Sequence, residues 1–280
     1  MAGWSRLGLI AGGGGLPVHV AEACRADGRL GAVVALKGFA DPADYPEASA
    51  RGVARIGGVL EDLRAGGCDA VCFAGIVTRP DFDTLKPDWK GVSLLPRVIA
   101  AAAKGDDALL RLLVKIFEEE GFAVVGAHEV AESLLAAPGP IGTAAPDDGA
   151  KADLDKAMRI AGEVGRLDIG QGAVVCNGLV LAVEAQEGTD AMLERVADLP
   201  APLRGAPEAR KGVIAKRAKP IQERRVDLPV VGVSTIERAA SAGLAGVAVE
   251  AGGALILGRE AVARAADEAG LFVVGVEPPA

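Results

Sequence analysis

The stretch RLGLIAGGGGLPVHVAEACRADGRLGAVVALKG, Arg6–Gly38, carries the pattern that decides the fold. An apolar run, RLGLIAG, meets four consecutive glycines, Gly12–Gly15. The segment LPVHVAEACRADG then reads as a helix, and AVVALKG reads as a second strand. A strand, a tight turn, a helix and another strand form a βαβ unit, whose strands are parallel with a right-handed crossover. The alternation continues with a helix in GGVLEDLRAGG and a third strand in AVCFAGIV. In DDALLRLLVKIFEEEG, residues Leu109, Leu112, Leu113, Ile116 and Phe117 recur at helical spacing, and FAVVGA follows as a strand. The first half is therefore expected to be a Rossmann-like parallel sheet covered by helices.

The chain has 280 residues, enough for one large domain or two ordinary ones. Half of them are hydrophobic but only 3% are aromatic, so Ala, Val, Leu and Ile must build the core. APGPIGTAAPDDGAK, Ala137–Lys151, is rich in Pro, Gly and Ala and reads as a linker. The expected division is 1–136, linker 137–151, and 152–280. The second part restarts with the helix ADLDKAMRIAGEVGRLD, followed by AVVC, Asn177-Gly178 and LVLAVEA. Asn-Gly between apolar runs signals a hairpin, because both turn positions need positive φ. Further strands alternate with helices, so the fold class is α/β: an N-terminal Rossmann-like parallel-sheet domain plus a C-terminal mixed α/β domain.

A net charge of −8 argues against non-specific nucleic-acid binding, which depends on Lys and Arg at phosphates. Cys24, Cys68, Cys72 and Cys176 form no CxxC pair, and GCDAVCFAG suggests buried free thiols. A reducing, cytoplasmic setting is expected. The first residues lack a signal-peptide pattern, and IGQGAVVCNGLVLAV is shorter than the roughly 18 residues of a membrane span and holds Gln171 and Asn177. A soluble protein, or one lying on a membrane surface, is expected.

Chemistry-bearing residues fall in two groups. The turn Gly12, Gly13, Gly14, Gly15, Leu16 and Pro17 offers backbone N–H groups and a helix N-terminus to phosphate. It departs from a dinucleotide fingerprint at Pro17, and the second strand ends in ALKG without a ribose-binding acid. A mononucleotide is favoured over NAD, with a purely structural turn as the alternative. Thr78 and Arg79, in AGIVTRPDF, fall at the same carboxyl edge of the sheet, where ligands collect. Asp106 and Asp107 start a helix, where acids offset its dipole.

The second group is denser. Asp168 and Gln171 precede the hairpin, while Glu184, Glu187, Thr189 and Asp190 follow it. Thr189 or Asp190 would cap the helix AMLERVADL. Lys216 and Lys219 lead into KPIQERRVDLPVVG, which gathers Gln222, Glu223, Arg224, Arg225 and Asp227 before an apolar strand. Polar groups on apolar strands are costly to bury, which favours a functional cluster. Only two histidines are present, neither with a ligand partner at useful spacing, which argues against a zinc hydrolase or His-rich di-metal centre. A metal held by carboxylates and water would be Mg²⁺ or Mn²⁺.

AGGGGLP, VTRPDF, KGDDALLR, LDIGQGAVV, LAVEAQEGTDAML, KRAKPIQERRVDLPVVG and ADEAGLFVVG occur in one order along the chain. Together they resemble the LpxI-type UDP-2,3-diacylglucosamine pyrophosphatases. The resemblance implies hydrolysis of UDP-2,3-diacylglucosamine to UMP and 2,3-diacylglucosamine 1-phosphate (lipid X) in lipid A biosynthesis. It implies water attacking the sugar-side phosphorus with a divalent cation, Mg²⁺ or Mn²⁺. Asp227 would then be the principal catalytic group and a metal ligand, with Glu184, Glu187 and Asp190 holding or positioning the cation. Gln171 and Gln222 would orient water or phosphate, and Lys216, Lys219 and Arg225 would counter phosphate charge. UDP would lie at Gly12–Pro17, Thr78 and Arg79. Ile221 and Glu223 stand where the family is expected to have Gly and Asp, which weakens any direct metal role for Glu223. The small apolar residues of Ala239–Leu257 could line an acyl groove or form ordinary core. Expected partners are the lipid substrate and product and the cytoplasmic face of the inner membrane, with a homodimer left open. Another UDP-sugar enzyme such as a transferase, or a non-catalytic nucleotide- or lipid-binding protein, are the rival readings.

Overall fold

The computed structural model describes residues 3–78, 81, 84–220 and 223–277. Two compact units result. Unit 1 takes Met1–Glu132 together with Glu223–Asp227, and unit 2 takes Ser133–Gln222 and Leu228–Ala280.

Unit 1 runs β1 (Leu7–Ala11), α1 (Leu16–Ala26), β2 (Leu30–Leu36), β3 (Ser49–Arg51), α2 (Ile56–Ala65) and β4 (Ala70–Ala74). It continues with α3 (Trp89–Ala102), α4 (Asp106–Glu119), β5 (Ala123–Val124) and α5 (Ala127–Val130). Every pairing in its sheet is parallel, in the order β3-β2-β1-β4-β5. All five residues of β1 are buried, as a strand covered by helices on both faces requires. Val34, Leu63, Val71 and Phe117 belong to one core, and Phe73 meets Phe117 edge-on at 5.1 Å between ring centres. Each such side chain contributes roughly 1.5–3 kcal/mol by leaving water.

Helix α3 has no counterpart in the sequence reading. The Asp88 carboxylate starts it by accepting from Gly91 N at 2.8 Å. Pro96 lies inside the helix, where its missing N–H and its ring ordinarily argue for a break.

Unit 2 runs β6 (Gly139–Pro140), α6 (Asp148–Arg166), β7 (Gly172–Cys176), β8 (Leu179–Val183), α7 (Gly188–Ala197) and α8 (Ala201–Arg204). Then follow β9 (Gly205–Ala206), β10 (Ala209–Arg210), β11 (Val213–Lys216), β12 (Val230–Val231) and α9 (Val233–Ser241). The chain closes with β13 (Gly246–Glu250), β14 (Leu255–Ile256), α10 (Arg259–Ala269) and β15 (Phe272–Val276). The main sheet has the order β6-β15-β13-β11-β7-β8. Its centre, β15-β13-β11, is parallel, while β6, β7 and β8 pair antiparallel. Strand alternation sends Val213 and Ala215 to the face under α6, with Leu154 and Met158. Ile214 points to the other face, with Met192, Ile236 and Val262.

Three local expectations meet the structure differently. Asn177 and Gly178 take φ of 50° and 75° in the β7–β8 turn, as the hairpin reading requires. The Asp153 carboxylate fixes that turn by accepting from both N–H groups, at 2.8 and 2.7 Å. The Pro- and Gly-rich stretch read as a linker is folded instead. Gly139 and Pro140 pair with β15, Ile141 is buried, and Asp147 caps α6 through Ala150 N at 2.8 Å. The acyl-groove reading of Ala239–Leu257 is also corrected: Ala239, Leu244, Val247, Val249 and Ile256 are at most 1% exposed within one core.

Candidate functional site

In unit 1 the strand order reverses between β1 and β4, so the loops after these strands leave the carboxyl edge side by side. They are stitched together. Gly12 N donates to Ala74 O at 2.8 Å, Gly13 N to Ile76 O at 2.9 Å, and Ile76 N to Gly13 O at 2.8 Å. A Cβ on Gly12 would sit 2.8 Å from Ile76 O, so this crossing itself demands glycine. The first half of the turn thus serves structure. The N–H groups of Gly12 and Gly13 are committed to the sheet edge, leaving those of Gly14, Gly15 and Leu16 at the start of α1 for an anion. Pro17 is buried and supplies no donor, and Thr78 is exposed in the second loop. Arg79 lies outside the described residues.

The segment Glu223–Asp227, which the sequence reading gave to the C-terminal domain, clusters with unit 1. Arg225 anchors it. Its guanidinium grips Glu223 through both carboxylate oxygens, at 2.9 Å each, and reaches Glu118 at 2.8 Å. That fork holds the Glu223 carboxyl below the ordinary carboxylate range, and the two carboxylates raise Arg225 further. Asp107 Oδ1 accepts from Glu223 N at 3.2 Å, while its Oδ2 pairs with Arg111 at 2.9 Å. Asp107 therefore does more than offset a helix dipole. Val226 packs against the unit 1 core, and Asp227 N closes a turn onto Glu223 O at 3.1 Å, with the Asp227 side chain half-buried.

In unit 2 the two ends of the hairpin meet, since Glu184 N donates to Gly172 O at 2.9 Å. From there a buried chain of polar groups crosses to β11. Lys216 Nζ donates to Thr189 Oγ1 at 2.7 Å and to Val230 O at 3.1 Å, and Thr189 Oγ1 donates to Glu184 Oε1 at 2.9 Å. Lys216 and Glu184 are both buried. Among the described residues, Glu184 Oε2 and Gln171 Oε1 are buried acceptors without a hydrogen-bond donor. Lys219 Nζ bonds Asp168 Oδ1 at 2.8 Å, and Asp168 sits at φ 57° ahead of the hairpin. Gln222 lies outside the described residues.

Of the four carboxylates expected at a cation, Glu184, Glu187 and Asp190 are not brought together. Glu184 faces Thr189, Glu187 forms an ion pair with Arg195, and Asp190 pairs with Arg238 at 3.1 Å. Glu187 is held below the ordinary carboxylate range by its own backbone N–H and, against burial, by Arg195. Among the described residues no three His, Cys, Asp or Glu side chains converge at metal-ligand spacing. A cage of Glu184, Glu187 and Asp190 does not fit a divalent cation.

The sequence reading offers Thr189 or Asp190 as the cap of a helix beginning at Ala191. Helix α7 instead starts three residues earlier, at Gly188, with Glu187 at the cap position, and the Thr189 hydroxyl bonds Glu184 and Lys216. A threonine between an acid and a lysine distant in sequence carries no local signature. Glu118 is the other residue the sequence concealed, since its bond to Arg225 spans 107 positions.

The parallel order β3-β2-β1-β4-β5 and its glycine turn define unit 1 as an open, doubly wound α/β fold of the Rossmann type, here joined in one chain to a mixed-sheet unit. Residues 6–134 match the family model of the LpxI N-terminal domain, and residues 137–274 match that of the LpxI C-terminal domain. The chain belongs to the LpxI family. It is 59% identical over 275 residues to the UDP-2,3-diacylglucosamine pyrophosphatase LpxI of Caulobacter vibrioides, covering 98% of each chain.

Proposed function

We propose that this protein hydrolyses the diphosphate of UDP-2,3-diacylglucosamine, a hydrolase step of lipid A biosynthesis. The observation that carries this reading is the 59% identity to a pyrophosphatase of that substrate, maintained over 98% of both chains. Water adds to the sugar-side phosphorus, the bond to the bridging oxygen breaks, UMP leaves with that oxygen, and 2,3-diacylglucosamine 1-phosphate (lipid X) remains. Positioning and charge compensation dominate such a reaction, because the transferred phosphorus needs little covalent help.

Asp227 is proposed to aim the water and take its proton. The turn that Arg225 ties to Glu223 and Glu118 supports that role by fixing the backbone next to it. Arg225 thereby acts as a positioning residue, its guanidinium already committed to carboxylates. Lys216 and Lys219 are assigned to phosphate charge, and Gln171, with a buried acceptor still unfilled, to orienting water or phosphate. Gln222 keeps the same proposed role. Gly14, Gly15 and Leu16 are assigned to the UDP phosphates, and Thr78 and Arg79 keep their proposed part in holding UDP.

Mg²⁺ or Mn²⁺ is proposed as a companion of the diphosphate oxygens, since Mg²⁺ is commonly held by one or two carboxylates plus substrate phosphates. Chelation should then abolish turnover and added Mg²⁺ restore it, while Glu187→Gln and Asp190→Asn leave the Mg²⁺ concentration for half-maximal rate within about twofold of wild type. A shift of tenfold or more in either variant, on the order of 1.4 kcal/mol, would restore those carboxylates to the metal. A lipid substrate of this kind supports a proposed site of action at the cytoplasmic face of the inner membrane. Among the described residues no helix is long and apolar enough to cross a membrane.

The test is turnover in ¹⁸O-labelled water with product analysis. Label in the sugar phosphate, lost with Asp227→Ala, supports the reading. Label in UMP would reverse the attack. A requirement for an acceptor alcohol would indicate a transferase, and tight binding without turnover would indicate a binding protein.

A further inference from the structure

Helix α3 carries an apolar face that stays exposed among the described residues. Its inward side is ordinary core, with Gly91, Leu94 and Ala102 buried. Its outward side presents Trp89, Val92 and Ile99, respectively 74, 57 and 50% exposed. These positions, with exposed Pro96 and Ala103 between and beyond them, follow the 3-4-3-4 spacing of a single helix face. A tryptophan is seldom left this open without a purpose, and an apolar stripe this continuous marks an interaction surface.

The stripe has a defined place in the fold. Asp88, which caps α3, also accepts from Gly58 N at 3.0 Å, at the start of α2. Helix α2 follows β3, so both helix starts lie at the carboxyl edge of the parallel sheet. Ile76, 68% exposed, stands at that same edge in the loop bonded to the glycine turn. Exposed apolar side chains therefore border the edge assigned to the nucleotide.

The charges around the stripe name the occupant. Between Thr84 and Gly105 lie Lys86, Lys90, Arg97 and Lys104 against a single acid, Asp88, in a chain whose net charge is −8. The end of the facing helix α4 and the residue after it neutralise two of these cations: Arg97 pairs with Glu119 and Lys90 with Glu120. Lys86 and Lys104 are exposed at the two ends of the stripe, without ion-pair partners among the described residues. Tryptophan and aliphatic side chains on one face, flanked by exposed lysines, match the interface of an anionic bilayer.

We propose that the outer face of α3 docks this protein on an anionic lipid surface, with Trp89, Val92 and Ile99 entering the interface and Lys86 and Lys104 meeting its headgroups. The proposal rests on the reading that the substrate carries acyl chains and resides in a membrane. Docking there would hold the nucleotide edge beside the bilayer, so that the UDP end of a membrane-borne lipid reaches it without leaving the leaflet.

The test uses the full chain and vesicles of phosphatidylethanolamine with about one quarter phosphatidylglycerol, compared with neutral phosphatidylcholine vesicles. Trp89 and the buried Trp4 are the two tryptophans, so a blue shift on adding anionic vesicles reports Trp89. Val92→Glu with Ile99→Glu keeps that reporter and changes only exposed positions. The double variant should lose the shift and on the order of tenfold in vesicle partition. Lys86→Glu with Lys104→Glu should weaken binding to anionic vesicles alone. Hydrolysis of vesicle-borne substrate should fall with the double variant, while detergent-dispersed substrate turns over as in wild type. Unchanged sedimentation of the double variant with vesicles overturns the docking surface. Wild type that ignores vesicles but self-associates through this face, by sedimentation velocity, overturns it in favour of a second copy. Failure to hydrolyse the dispersed substrate in both proteins would instead strike the proposed reaction, because vesicle binding needs no turnover.

Discussion

At the residue scale, two side chains concentrate the expected consequences. Asp227→Ala should lower turnover by at least about a hundredfold, the ordinary reach of a positioned proton acceptor, while UDP binding at the glycine turn persists. Steady-state rates and a UDP titration separate the two effects, and equal losses in both would demote Asp227 to a structural role. Thr189 offers a second check. Its hydroxyl accepts from the buried Lys216 ammonium and donates to Glu184. Thr189→Val keeps the shape but leaves two buried polar groups short of a partner, which costs about 1–3 kcal/mol. Urea unfolding should show that loss, and Thr189→Ser should recover most of it. A valine variant as stable as wild type would mean the chain Lys216–Thr189–Glu184 contributes nothing to stability. Asp227 stands out in the sequence because charge gathers before an apolar run, and its role is a proposal. The role of Thr189 was not legible there, since its hydroxyl partners come from two different strand ends.

At the element scale, Asp88 joins the starts of two helices and should behave accordingly. Burial pushes its carboxyl up, but the N–H groups of Gly91, Gly58 and Gly57 outweigh this and hold it below its ordinary value. A depressed carboxylate stabilises the fold above its unfolded-state value near pH 4 and loses that contribution as pH falls through the native value. Asp88→Ala should therefore cost about 1–2 kcal/mol at neutral pH, and less as the solution is acidified below about pH 4. Urea midpoints at two pH values read this directly, and a deficit that grows on acidification would contradict it. Most elements could be read from the sequence because apolar period and glycine stops coincide, as in β1, α4 and the Asn177-Gly178 hairpin. Helix α3 could not, because Pro96 speaks against a helix while the Asp88 cap and the packing of Leu94 override it. The same helix carries the proposed membrane face, so the largest omission from the sequence reading and the most exposed apolar surface are one element.

At the scale of the whole molecule, the cysteines provide an internal gauge of each unit. Cys24, Cys68 and Cys72 lie in unit 1, and Cys176 in unit 2. Burial is the first cause of a raised thiol value in all four, pushing Cys24 and Cys68 up to about 11 and Cys72 up to about 12. At neutral pH these thiols are protonated in the folded protein, and the thiolate is the reactive form. The sign for stability follows from proton counting. Below pH 9 both folded and unfolded thiols keep their protons, so the contribution is intact; above it the unfolded chain releases protons that the folded one retains, and stability falls until the native values are passed. Unit 1, with three such thiols, should lose its resistance to urea steadily between about pH 9 and 11. Thiol labelling at pH 8 with peptide mass analysis gives the complementary reading. Cys72, wholly buried in β4, should label only as unit 1 opens, together with Cys24, whereas Cys176 should follow the opening of unit 2. Labelling of Cys72 in the native protein at the rate of a free thiol would mean that the parallel sheet opens locally, and the glycine turn that depends on β1 and β4 could not then be the fixed phosphate cradle proposed for it.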